Sequence, residues 1–171
     1  MTFRRCLVVI LMIVTVTLTG WGGGTVLAAP APQSGTSAPS PDRAEALVRA
    51  RGYTATETGG YDPDNDLSVI VGRWTDAVDG HPQQAFLFHR GRLVGTDTLV
   101  PSATIGWLWS TSDVVALTYQ LYRTDDPLCC PTAGAATVRY QWNGTKIVPL
   151  DSVPAADWSA SASRRAVRLS E

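Results

Sequence analysis

The chain has 171 residues, 44% of them hydrophobic, which is enough for one domain with a real core and some additional segments. Of its 14 basic residues all but Lys146 are arginine, and the formal net charge is −1. No basic stripe interleaved with aromatics runs through it, which argues against a nucleic-acid partner.

Arg4-Arg5 precede an apolar run from Leu7 to Leu18. A positive start and a short apolar core make a secretory signal, and the run falls short of the ~20 residues of a spanning helix. If it were not cleaved, Gly20, Trp21 and Val26-Leu27 would extend the apolar character into a membrane anchor. The run ends in Leu18-Thr19-Gly20-Trp21. Bacterial lipoprotein signals end in Leu-(Ser/Thr/Ala)-(Gly/Ala)-Cys, and that cysteine is acylated. Trp21 has no thiol, so no thioether to diacylglycerol can form, which argues against a lipid anchor. Cys6 lies ahead of the apolar core and is misplaced for lipidation. Val26-Leu27-Ala28 then offers a small-residue site, and Pro30 disfavours a cut after Ala29. Release is expected after Ala28. Removing Arg4 and Arg5 from the 14 basic residues leaves 12 against 15 acidic, a net charge of −3.

Residues 29–41 are rich in Pro, Ser and Ala and read as a disordered linker. A helix is predicted over 42–51. Ser40 or Asp42 can cap it, Pro41 suits its first turn, and Asp42 and Glu45 have capping-box spacing. Ala44, Leu47 and Val48 share a face, and Gly52 fits the stop. Gly59–Asp66 is a loop. Asp62, Asp64 and Asp66 have the odd-position spacing of a calcium loop. Position six is Leu67 where glycine is needed, however, and position twelve is Arg73 where a bidentate glutamate belongs, so a solvated acidic loop is the better reading.

Strands follow at Leu67–Trp74, Gln84–His89, Leu93–Leu99, Ile105–Trp109, Asp113–Tyr122, Ala136–Trp142 and Lys146–Leu150, with turns at Asp79-Gly80, Arg90-Gly91 and Ser110–Ser112. Asn143-Gly144 is a strong hairpin signal. Asn143-Gly144-Thr145 is also a glycosylation sequon, although the hairpin accounts for it. The expected fold is α+β: one short N-terminal helix packed on a curled, mainly antiparallel sheet of about seven strands in sequential hairpins. The domain is expected to span 42–157, with a flexible tail at 158–171.

Once the signal is removed, Cys129 and Cys130 are the only cysteines, in an oxidising compartment. Neighbouring Cα atoms sit about 3.8 Å apart, against about 4.4–6.8 Å in ordinary disulfides. A bond between them closes a small ring between Pro127 and Pro131, and stabilises little through chain entropy because almost no loop is closed. A rigid vicinal disulfide is one reading, a redox-active pair another, and intermolecular pairing or metal binding a third. No Cys-x-x-Cys and no helix start supports a reactive thiolate. His81 and His89 lack zinc-ligand spacing.

The runs Asp113–Tyr119, Tyr122-Arg-Thr-Asp-Asp-Pro-Leu-Cys-Cys-Pro131, Thr137–Gly144 and Ile147–Asp151 resemble the LppP/LprE lipoprotein family of actinobacteria, over roughly 65–155 of the chain. The Asp-Pro-Leu-Cys-Cys-Pro run is the most specific part. The resemblance implies a cell-envelope protein of uncharacterised function and carries no catalytic residues. Trp21 departs from the lipoprotein pattern.

Trp107 and Trp109 lie two apart on a strand, as do Val138, Tyr140 and Trp142, so each set is expected on one face. Such a row either fills the core or offers a platform for wall sugars. Asp125 and Asp126 sit beside Arg123. Adjacent carboxylates in a turn do not give the separation glycoside hydrolysis needs, so Asp125 is expected to bond nearby backbone amides. No Gly-x-Ser-x-Gly, phosphate loop or His-Glu-x-x-His is present. The sequence therefore points to an exported, non-enzymatic domain without a cofactor. It would bind a wall polysaccharide or an envelope protein through Arg123–Pro131, with Trp107 and Trp109 as further binding candidates. The alternative is a thiol–disulfide protein using Cys129 and Cys130.

Overall fold

The computed structural model describes residues 39–79, 81–157 and 164–166. The expected signal, the cut after Ala28, the linker up to residue 38, Gly80 of one expected turn, and residues 158–163 and 167–171 lie outside the described residues.

Helix α1 spans Pro41–Arg49, with Pro41 in its first turn. Ser40, not Asp42, is the cap: its Oγ accepts the Arg43 amide hydrogen (3.3 Å). Gly52 ends the turn after the helix at φ +84°. Strand β1 (Tyr53–Glu57) follows, then β2 (Ser68–Trp74), β3 (Gln83–His89) and β4 (Arg92–Thr96). These four form one antiparallel sheet in sequence order. Arg90 and Gly91 both have positive φ (48° and 73°), the signature of a tight hairpin turn.

Residues 97–104 carry the chain to a second sheet. It contains β5 (Ile105–Ser110), β6 (Val114–Tyr122), β7 (Ala135–Trp142) and β8 (Ile147–Pro149), all paired antiparallel. β9 (Ala156–Asp157), at the end of the expected domain, pairs with β10 (Arg164–Ala166), which falls in the segment expected to be a loose tail and lies parallel to the end of β6.

The expected single curled sheet is therefore two sheets. The reason lies in β2 and β3, which are buried along most of their length. On one side, Ile70, Phe86 and Phe88 meet Ala44 and Val48 of α1. On the other, Val69, Val71, Ala85 and Leu87 meet Val115, Leu117, Tyr119 and Tyr140 of the second sheet. A single sheet under one helix would leave that second apolar face in water. Folding the meander back covers it, at roughly 1.5–3 kcal/mol for each large side chain buried. No helix among the described residues is long and apolar enough to cross a membrane.

Candidate functional site

The β6–β7 connection, residues 123–134, is long for a hairpin, and polar side chains hold it. Asp126 is buried. Its carboxylate accepts from the Arg123 amide (2.8 Å), the Thr132 amide (2.8 Å) and the Thr132 hydroxyl (2.8 Å). One side chain thus ties both ends of the loop together. The amide of Arg123, then burial's opposing effect and the Thr132 donors, leave this carboxyl below the usual carboxylate range. The Arg123 guanidinium donates to the Thr132 carbonyl (2.7 Å) and hydroxyl (2.6 Å). The Tyr122 hydroxyl donates to the Leu128 carbonyl (2.9 Å), and the Cys130 amide to the Pro127 carbonyl (3.0 Å).

The turn-forming role expected of Asp125 therefore falls to Asp126. Asp125 is exposed. Cys129 and Cys130 are joined by a disulfide between neighbouring residues and are exposed at the loop surface. The loop presents Asp125 and the disulfide outward; the buried Asp126 braces it through Arg123 and Thr132, which are themselves exposed.

Trp107 and Trp109 do not share a face. The register of β5 on β6 shifts between them: Trp107 pairs with Leu117 and Trp109 with Ala116. The bulge at Leu108 adds one residue and so reverses the alternation. Trp107 packs on the core between the sheets, its Nε1 donating to Ser110 Oγ (2.8 Å). Trp109 is 43% exposed. Val138 and Tyr140 are core, and Trp142 packs against them and stacks on His89 (centroids 4.2 Å apart).

The acidic loop is tied to its surroundings by ordinary bonds. Asp62 Oδ1 accepts the Asp64 amide (2.9 Å), and Asp66 pairs with Arg90 Nε (2.8 Å). His81 and His89 both bond backbone carbonyls through Nδ1, those of Ala103 and Asp66. Among the described residues, no three His, Cys, Asp or Glu side chains are placed to hold a metal ion.

Sequence reasoning missed Asp97, which is buried between the sheets. Its carboxylate accepts from the Tyr119 hydroxyl (2.8 Å) and the Ala85 amide (3.1 Å), and the Tyr119 hydroxyl also meets that of Tyr140 (2.7 Å). Burial first, then the Asp97 charge, pushes Tyr119 well above an ordinary tyrosine. A carboxylate amid Val94, Leu99 and Val100 was the available signal.

A family model described as LppP/LprE lipoprotein matches residues 59–145, from the loop before β2 through the turn after β7. No curated protein and no solved structure matches the chain.

Proposed function

The chain belongs to the LppP/LprE lipoprotein family, and on that premise we propose an exported, envelope-associated, non-enzymatic protein that binds a wall polysaccharide or an envelope protein through the loop at Arg123–Pro131. The supporting observation is the bracing of that loop by Asp126. A loop fixed in one conformation loses little entropy on binding, and its outward groups, Asp125 and the Cys129–Cys130 ring, are exposed. Export rests on the signal pattern at Arg4–Ala28, and Trp21 argues for release rather than lipidation.

Co-sedimentation of the purified chain with insoluble wall polysaccharide, and capture of extracted envelope proteins, tests this reading. Retention by wild type that drops in Asp125→Ala and in Cys129→Ser/Cys130→Ser supports it. Equal retention by all three proteins counts against the loop. Exposure of the disulfide favours a second reading, thiol–disulfide exchange. Thiol titration after mild reductant discriminates the two, because a pair that stays oxidised cannot exchange.

A further inference from the structure

Helix α1 and the β3–β4 hairpin bound a groove of about 530 Å³. Its walls carry Arg43 and Arg51 from the helix side and Arg90 and Arg92 from the hairpin, and Leu47 and Leu93 add apolar surface. Pro39 closes one part by seating on Gly91, where any side chain would collide with it and where φ is +73°. Four of the nine described basic side chains thus gather in one place, on a chain whose net charge is −1.

Most other cations are already answered. Arg49 pairs with Glu45, Arg139 with Asp151, and the Arg73 guanidinium donates to the Ala77 carbonyl. In the groove, Asp66 answers Arg90 (2.8 Å). Arg51 and Arg92 are exposed, and among the described residues neither guanidinium has an ion-pair or hydrogen-bond partner. A second groove of about 580 Å³ adjoins across β4, sharing Arg92 and Leu93 and adding Lys146 and the His89–Trp142 stack.

Like charges gathered in a concavity repel unless an anion sits among them. Guanidinium forks match the oxygens of phosphate, and a tetrahedral phosphate can accept from several at once. The neighbouring leucines suit the organic part of an ester. We propose that this groove binds a phosphate ester, with Arg51 and Arg92 on the phosphate and Leu47 and Leu93 against the group that carries it. The site is separate from the Arg123–Pro131 loop and depends on no property of that loop.

The test uses the intact chain with two probes. Calorimetric titration with glycerol 3-phosphate reads a free ester. Co-sedimentation with phosphatidylglycerol vesicles, against phosphatidylcholine vesicles, reads a lipid headgroup. Binding in either arm is expected, and the arm that responds identifies the source. Arg51→Ala and Arg92→Ala should each weaken binding roughly tenfold, and binding should fall as salt rises. Both side chains are exposed, so the thermal midpoints should match wild type, which separates lost binding from a lost fold. Arg49→Ala and Arg139→Ala, outside the groove, should bind as wild type does. Absence of binding in both arms overturns the proposal. So does equal binding by wild type and the Arg51→Ala/Arg92→Ala double variant, or an equal loss in the Arg49→Ala and Arg139→Ala controls.

Discussion

A carboxylate organises its surroundings best when each oxygen meets a donor, and three aspartates do so here in different settings. Asp126 gathers two amides and a hydroxyl at the base of the β6–β7 loop. Asp151 takes the Arg139 guanidinium through Nε (2.9 Å) and Nη2 (2.9 Å), plus the Arg139 amide (2.9 Å), and its pKa falls to about 2. Folded Asp151 thus holds its proton more weakly than the unfolded chain, where aspartate titrates near about 3.9. Its contribution to stability is full above that value and is lost as pH falls toward about 2. Urea midpoints measured down this range should fall less steeply in Asp151→Asn than in wild type, and identical slopes would refute the assignment. Asp97 works inside the core instead. Tyr119→Phe leaves one Asp97 oxygen without its phenolic donor, so a loss of about 1–3 kcal/mol is expected from urea unfolding. A neutral Tyr119→Phe variant would mean that water replaces the hydroxyl. The Asp97 and Asp151 pairings were not legible beforehand, because they join residues 12 or more positions apart in sequence. Only the turn chemistry of Asp125-Asp126-Pro127 was visible locally, and it selected the wrong one of two adjacent carboxylates.

At the scale of elements, the strands with strong apolar patterns were legible and the connections that bend them were not. The expected strand ends at β2, β3, β6 and β7 agree with the observed ones to within a residue or so. β1 was missed although Tyr53 and Ala55 alternate with Thr54 and Thr56, and both apolar residues do pack on the α1 side. Its pattern is short, and as an edge strand it has one neighbour. The bulge in β5 has no sequence mark at all. It is held by contacts from elsewhere: the Glu57 carboxylate of β1 accepts the Trp107 amide (2.7 Å) across 50 residues of chain. The Trp107 ring in turn covers Gly60, where a Cβ would sit 2.6 Å from Val69 Cγ1 and 3.0 Å from Trp107 Nε1. Gly60→Ala should therefore push either β2 or the indole aside and cost about 1–3 kcal/mol. Thermal unfolding reads the loss. An unchanged midpoint would show that the loop before β2 can move away from Trp107 without cost.

The described part of the domain is three layers, α1 on the first sheet and the first sheet on the second, and β2 and β3 belong to both interfaces. Their sequences carried that information in a form that was misread. Val69–Val71 and Ala85–Phe88 are continuously apolar, whereas a strand with one wet face should alternate. A single sheet under one helix has such a wet face, so the unbroken runs already called for cover on both sides. The consequence is thermodynamic. Phe86 faces α1 and Leu117 faces the first sheet from the second, yet each leans on the same two central strands. Neither core can be lost while the other keeps its shape, so the domain should unfold as one cooperative unit. Phe86→Ala should cost about 3–5 kcal/mol and Leu117→Ala about 2–5 kcal/mol. In both variants the urea transitions followed by tryptophan fluorescence and by far-ultraviolet circular dichroism should coincide. The indoles report on both sides of the first sheet, since Trp74 packs edge-on against Tyr53 (5.2 Å) beside α1 while Trp107 and Trp142 pack on the core between the sheets. A Phe86→Ala protein that loses its helix signal in an earlier, separate transition would show that α1 is an independent flap, and the three layers would then be two.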